Sequence, residues 1–244
     1  MKFKKHLVDK PWGRTDIPPE FGTLGGRRVG EIWYIAETEA PLPILVKWLF
    51  TSERLSIQVH PDDAQAQERG MPSGKEECWY VVDAEPGAII GVGTKHSLTS
   101  EKLHAASLSG EIEALMDWKP VQAGDYFYIP AGTVHAIGAG ITLVEVQQYA
   151  DITYRLYDYG RDRELHLDDG VAVSSATPYT DTRSGNAPTG TQLLTVHILN
   201  FGISVTWTMC RRCRLQEMCG LFRCQGSPNR WRGCGKGRVH SRIR

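Results

Sequence analysis

Cysteine is almost absent before residue 209 of this 244-residue chain: Cys78 stands alone there, whereas Cys210, Cys213, Cys219, Cys224 and Cys234 crowd the end. A single thiol in so long a stretch argues against a disulfide scaffold and for a reducing compartment. Long apolar runs are missing too. The most apolar stretch, residues 41–50, contains Pro41, Pro43 and Lys47, whereas a membrane-spanning helix needs roughly 20 uninterrupted apolar residues. The basic start, residues 1–6, is followed by Asp9, Lys10 and Pro11 rather than by an apolar core, so no signal peptide is expected. Net charge is also lacking, with 28 basic and 28 acidic residues, which argues against a nucleic-acid or membrane partner. These absences together predict a cytoplasmic protein. The neutral total hides a division, because residues 209–244 carry nine Arg and one Lys against one acid, Glu217, and the remainder is acidic to the same extent.

What is present is mostly strand-like. Short apolar or alternating runs at residues 29–36, 44–50, 54–59, 78–82, 88–92, 125–129 and 141–148 are separated by Gly, Pro and Asp, a pattern of sandwiches and barrels. One or two helices are predicted between residues 98 and 115, where Leu103, Leu108, Ile112 and Leu115 recur behind Thr99 and Ser100. A further short helix is predicted at residues 62–69. No internal repeat is visible. Residues 173–190 collect Ser, Thr, Pro, Gly and Asn and read as a linker.

Between residues 54 and 60 the alternation sends Leu55, Ile57 and Val59 to one face and Ser56, Gln58 and His60 to the other. Taken alone, that Gln-x-His pair is explained by a half-buried strand with a polar solvent face. A second feature bears on it: Gly124, Pro130, Gly132 and His135 satisfy the spacing G-x5-P-x-G-x2-H, which resembles the second motif of the cupin barrels, where turn and strand aim the imidazole inward. Two imidazoles, a carboxylate and an amide oxygen make a mixed donor set suited to zinc or a similar divalent ion. Such an ion polarises substrate oxygens, and zinc has no redox capacity. Farther on, Glu145 and Gln147 share a face, and Arg155 follows with Thr153 and Tyr157 on its parity. A buried Glu near a cation can work as acid or base, and an Arg can hold phosphate or an oxyanion. A purely structural Glu–Arg ion pair fits the same spacing.

The motifs taken in order resemble the bacterial type I mannose-6-phosphate isomerases, the zinc-dependent cupin phosphomannose isomerases. The resemblance runs through Lys10-Pro11-Trp12-Gly13, Gly30-Glu31-Ile32-Trp33, Leu45-Val46-Lys47, Gln58-Val59-His60-Pro61, Lys75-Glu76-Glu77-Cys78-Trp79, Pro130-Ala131-Gly132-Thr133-Val134-His135, Glu145 and Asp151 to Arg161. It implies an all-β cupin or jelly-roll barrel with a small helical insertion. It further implies one Zn2+ per chain on Gln58, His60, Glu77 and His135, with Glu77 preferred to Glu76 because the family's ligand lies two residues after the lysine. The implied reaction is the aldose–ketose interconversion of mannose 6-phosphate and fructose 6-phosphate through a cis-enediol, with a sugar phosphate as the small-molecule partner. Arg155 matches the catalytic arginine, and Lys75 and Glu145 match positions with acid/base or substrate-contact roles. Lys47 and Arg161 are candidates for the phosphate. Trp12, Trp33 and Trp79 are read as barrel packing, Cys78 as core, and His6, His96, His104 and His166 as surface residues.

The domain reading follows: residues 1–172 as the metal-binding catalytic cupin domain, 173–190 as linker, 191–208 as the remnant of an incomplete second cupin-like half, and 209–244 as a disordered basic, Cys-rich tail. The tail has almost no alternating apolar pattern and too little apolar surface to fold alone. An out-of-frame segment is preferred for it over a zinc module or a basic extension. The second function carried forward is a catalytically impaired cupin that binds a sugar phosphate. An iron-dependent cupin oxidase is disfavoured by the Gln-x-His pair.

Overall fold

Glycine, proline and aspartate turns break the chain into short strands, and the computed structural model pairs these into two antiparallel sheets. It describes residues 3–37 and 42–186, and the backbone of four later strands. In chain order the elements are β1 (Phe3–Arg14), β2 (Val29–Ala36), β3 (Ile44–Phe50), β4 (Ile57–Val59), α1 (Asp63–Glu68), β5 (Glu77–Ala84), β6 (Ile89–Thr94), α2 (Ser100–Ser109), α3 (Ile112–Leu115), β7 (Met116–Pro120), β8 (Asp125–Ile129), β9 (His135–Ile137), β10 (Ile141–Gln148), β11 (Tyr154–Tyr157), α4 (Leu167–Val173) and β12 (Gly185–Asn186). One sheet has the order β1-β2-β3-β10-β5-β8-β12 and the other β11-β4-β9-β6-β7. Strands distant in sequence lie side by side, β3 against β10 and β4 against β9, as in a jelly roll. The all-β cupin class is thus observed, with its helical insertion between β6 and β7.

Three apolar layers hold the sheets. Inside the barrel, Leu49, Trp79, Val81, Ile90, Ile137 and Leu143 meet between the two sheets. On the outer face of the larger sheet, Phe21 packs 5.0 Å from Trp48 and 5.1 Å from Phe50. The outer face of the smaller sheet is covered by α2, α3 and α4, with Leu103, Ile112 and Val173 against Ile57 and Val59. Strand β3 is buried on both faces as a result, which explains why it reads as a nearly continuous apolar run.

Local signals set the boundaries. Asp62 accepts from the Gln65 amide while Gln65 Oε1 accepts from the Asp62 amide, a capping box that starts α1 immediately after His60. Thr99 caps α2, and Gly110 ends it in a left-handed conformation. The alternation expected from residue 54 holds only from Ile57, where β4 begins. Leu55 precedes the strand and packs inside the barrel, on the opposite side from Ile57 and Val59.

The segment after α4 runs along the barrel. Thr94 donates its amide to the Thr177 carbonyl at 3.1 Å, Leu98 to that of Ala176 at 3.0 Å, and β12 pairs with β8. The later strands β13 (Leu193–Ile198), β14 (Ile203–Thr208), β15 (Gly220–Cys224) and β16 (Arg232–Gly233) form a separate antiparallel sheet in that order. Strand signal at residues 191–208 thus takes the form of the β13–β14 hairpin, and β15 and β16 fall in the segment read as a tail. The rest of that segment lies outside the described residues.

Candidate metal centre and its cavity

Register builds the centre. Gln58 on β4 is paired with His135 on β9, and Gln147 on β10 with Glu77 on β5. His60 follows β4 directly, and its carbonyl accepts from the amide of Gly132 at 2.8 Å, tying the two histidine-bearing turns together. Gly132 has φ of 80°, and a Cβ there would stand 2.8 Å from Ser175 Oγ, so the turn requires glycine twice over.

His60, Glu77 and His135 are all buried, and their ligand atoms lie within 4.8 Å of one another. His60 Nε2 is 3.1 Å from Glu77 Oε1, and His135 Nε2 is 3.7 Å from Glu77 Oε2. Tetrahedral zinc with bonds of roughly 2.0 to 2.2 Å separates its ligand atoms by about 3.4 Å, so these spacings fit. Tautomers fit as well. His135 Nδ1 lies 2.8 Å from the Thr133 carbonyl, which can only accept, so the ring proton sits on Nδ1 and the Nε2 lone pair faces Glu77. Glu77 Oε1 lies between Lys75 Nζ, at 2.6 Å, and His60 Nε2, so the buried carboxylate oxygen faces the cluster with a cation behind it. The Gln58 amide stands 3.2 Å from His135 Nε2 and 3.3 Å from Ser56 Oγ. A hydroxyl can donate or accept, so rotation of that amide can turn its oxygen toward the cluster.

The protonation states suit metal ligands. Burial, then the Lys75 charge, pushes His60 down to about 3, and burial lowers His135. Burial works to raise Glu77, but the Lys75 charge outweighs it and holds the carboxylate ionised. Lys75 Nζ is 2.6 Å from Glu77 Oε1; burial opposes its charge, yet Glu77 and Glu145 raise it to about 12. Neutral imidazoles beside an anionic carboxylate are the forms that bind a divalent ion.

Across the inward face of the larger sheet, register aligns Trp33, Lys47, Glu145 and Trp79 in one row. Lys47 Nζ lies 3.4 Å from Glu145 Oε1 and 3.8 Å from Glu31 Oε2. Trp79 Nε1 donates to both Glu77 Oε2 and Glu145 Oε2 at 3.1 Å, joining the metal cluster to the row. Burial, then the Glu77 charge, raises the pKa of Glu145. A cavity of about 320 Å³ lies beside this row, at the lower end of small-molecule site volumes. Gln58, Lys75, Glu145 and Arg155 all line it, with Lys10, Glu31, Lys47, Arg163 and His166.

Several sequence expectations change here. Glu145 is paired with Lys47, while Arg155 makes no ion pair among the described residues, so the Glu–Arg structural pair is not formed. Arg161 is not in the cavity lining; it binds Asp158 and the Arg54 carbonyl. His166 does line the cavity, against the expectation of a surface role, and Trp79 does more than pack. Cys78 points to the outer face and is buried there, as expected. Lys10, Glu31 and Arg163 were not singled out. For Glu31 a signal existed, since it shares parity with Trp33; Arg163 lies in an irregular loop and gives none.

Two antiparallel sheets around a buried His–Glu–His cluster define a cupin barrel with a candidate metal centre. No family model matches the chain. A mannose-6-phosphate isomerase of Streptococcus mutans is 43% identical over 148 residues, covering 56% of this chain and 46% of that protein. YvyI of Bacillus subtilis, which carries the same family name, is 34% identical over 215 residues, covering 71% of this chain and 67% of its own. The crystal structure of a Bacillus subtilis mannose 6-phosphate isomerase superposes with a TM-score of 0.65 at 26% identity, over 90% of this chain and 78% of that one. The chain belongs to the mannose-6-phosphate isomerase family, and spans about half to two thirds of the curated relatives it matches.

Proposed function

We propose that the protein is a zinc-dependent aldose–ketose isomerase that interconverts mannose 6-phosphate and fructose 6-phosphate through a cis-enediol. The observation that carries this reading is the junction at Trp79: one indole N–H holds both a carboxylate of the metal cluster and a separate carboxylate, Glu145, that lines a cation-rich cavity. An isomerase of this kind needs a charge centre for the sugar oxygens and, beside it, a base that is not consumed as a ligand.

In this reading Gln58, His60, Glu77 and His135 hold one Zn2+, which when bound supplies the positive charge that polarises the substrate oxygens. Glu145 takes the proton from C2 and returns it to C1. Trp79 and Lys47 fix its two oxygens, so the carboxylate keeps one orientation through the transfer. Lys75 and Arg155 set positive charge against the oxygens of the enediolate intermediate. No helix among the described residues is long and apolar enough to cross a membrane; with the single thiol before residue 209, this supports a cytoplasmic assignment. Residues 1–172 are the catalytic domain in this reading, and the coding DNA beyond residue 208 tests the out-of-frame tail.

A coupled isomerase assay on the purified chain, first with chelator and then with zinc restored, is the test. Turnover that falls with chelation and returns with zinc is expected. No turnover with mannose 6-phosphate at full zinc occupancy refutes the proposal, and binding without turnover in that assay selects the catalytically impaired cupin instead.

A further inference from the structure

Glu76 is the carboxylate of the Lys-Glu-Glu run that the metal cluster does not use. It lies between Lys75 and Glu77, which meet at the cluster, and its own side chain points to the outer face of the larger sheet, where Tyr128 Oη donates to Glu76 Oε2 at 2.5 Å. The backbone of Glu76 is held as well. Its amide donates to Gln148 Oε1 at 2.8 Å, and its carbonyl accepts from the Gln148 amide at 3.1 Å. Gln148 is buried and is fixed in turn by Asp63 Oδ1, which accepts from Gln148 Nε2 and from the Gly74 amide, both at 2.8 Å. These contacts matter because Lys75 and Glu76 precede β5, and pairing with β8 and β10 begins only at Glu77. Side chains therefore fix the residues that the ladder does not reach.

Tyr128 is gripped by the segment after α4, residues 174–186. Where the short β12 ladder ends, Ser184 Oγ accepts from the Tyr128 amide at 3.1 Å and Tyr179 Oη donates to the Tyr128 carbonyl at 2.5 Å. The Tyr179 proton is committed to that carbonyl, so the Ser184 hydroxyl donates to Tyr179 Oη. Arg183, anchored on Asp181 at 2.9 Å, lies over the Tyr128 ring with its guanidinium carbon 3.5 Å from the centroid. The other end of the strap meets the histidine turns. Ser175 donates its amide to the Gly132 carbonyl at 2.8 Å, and the Gly132 amide donates to the His60 carbonyl. One largely exposed strap thus touches the turn before His135 and the support of Glu77, which belong to different sheets.

We propose that Glu76 and Tyr128 are positioning residues for Lys75 and the metal ligand Glu77, and that the strap of residues 174–186 sets their geometry from outside the barrel. The inference rests on the reading of the His–Glu–His cluster as a zinc centre. A site of this kind works only when its groups are held within about 0.5 Å of the productive geometry, and partners behind the ligands are worth roughly tenfold to a hundredfold in metal affinity. Removing the Tyr128 hydroxyl frees the Glu76 side chain, and the backbone on either side of it loses that anchor. Lys75 Nζ is 2.6 Å from Glu77 Oε1, so the two inward groups shift together.

The test uses the full chain as wild type, Y128F, E76A, E76Q and the doubly substituted Y179F/S184A. Zinc affinity is read by competition with a chromophoric chelator and ligand geometry by the visible absorption of the Co2+-loaded protein, with melting temperature followed alongside. Y128F and E76A are expected to weaken zinc about tenfold and to shift the Co2+ bands. E76Q, whose side-chain oxygen still accepts from the phenol, is expected to stay within about twofold of wild type. Y128F/E76A is expected to be no weaker than E76A, since both changes remove one contact; additive losses overturn the pairing. Y179F/S184A frees Tyr128 from the strap, leaves Glu76 in place and is expected to weaken zinc roughly fivefold. Wild-type affinity and spectrum in a folded Y128F, with only the melting temperature lowered, overturn the positioning role. Wild-type affinity in a folded Y179F/S184A overturns the strap. Turnover judges the isomerase reading separately: a wild type whose zinc affinity depends on Tyr128 yet which does not isomerise mannose 6-phosphate keeps the positioning pair and loses that reading.

Discussion

Replacing Lys47 by methionine tests whether the charged row across the larger sheet stabilises the fold as well as the site. Lys47 is 3% exposed and is the cation that separates Glu31 from Glu145. Its removal leaves two buried carboxylates short of one partner, a change that costs about 3–5 kcal/mol. Loss of the cation over the Trp33 ring, 4.7 Å from its centroid, adds up to about 1 kcal/mol. For a chain of this length that corresponds to a melting temperature lower by roughly 6–24 °C. The pH dependence follows from the carboxylates. Burial already raises Glu145, and Lys47 opposes that rise; Glu31 is lowered because Lys47 and Lys10 outweigh burial. Without Lys47 both folded-state pKa values move up. A carboxyl group whose folded pKa lies above its unfolded one contributes stability at low pH that is lost as pH rises toward the folded value. The deficit of K47M relative to wild type should therefore widen from pH 5 to pH 8, while Lys10, Lys75 and Glu77, which face the same space, are common to both proteins. Urea unfolding of the pair at matched free zinc measures it. Equal stability at pH 8, or a deficit that shrinks as pH rises, would refute the reasoning.

Chelation of the zinc-loaded protein should lower its stability by about 4 kcal/mol if free zinc had stood near a thousand times its Kd, read as a melting temperature that depends on zinc concentration; a concentration-independent value would remove the metal from the fold. Gly132→Ala should cost about 1–3 kcal/mol from its positive φ and the contact with Ser175, and should weaken zinc in a competition titration because the turn ties His135 to His60. Thr51→Val should destabilise by about 1–3 kcal/mol in urea unfolding, since the buried hydroxyl accepts from the Ile141 amide and donates to the Gly138 carbonyl. Trp79→Phe should reduce kcat more than it raises KM, because the indole N–H holds Glu145 without lining the cavity; unchanged kcat would sink the proposed junction.

Strands β2 to β6, β8 and β10 were legible because turn residues punctuate them and because buried and exposed positions alternate, whereas β1, β7, β9, β11 and β12 were not foreseen. The two histidines of the candidate centre stood out because their spacing is local, Gln58 beside His60 and His135 behind its Gly-Pro-Gly frame, while Glu77 came only with the family resemblance. What escaped the sequence depends on register or on irregular backbone. Trp33, Lys47, Glu145 and Trp79 lie on four strands far apart in the chain, and only the pairing of β2, β3, β10 and β5 makes them neighbours. Helix α4 was not foreseen, since Asp168, Asp169 and Gly170 interrupt any apolar period and the helix forms where Leu156 and Tyr154 give it a surface to pack on. Arg163 and His166 were silent for a similar reason, as their direction is set by Asp158 and by the Arg155 backbone rather than by any periodicity. Register also makes the site indivisible. A slip of one residue in β10 would turn Glu145 outward into an apolar layer and bring Val144 or Val146 to face the cavity. The cluster itself draws Gln58 and His135 from one sheet and Glu77 from the other. If the proposed zinc is held there, its binding and closure of the barrel depend on one another, and a substitution that separates the sheets should lose zinc before it loses strand content.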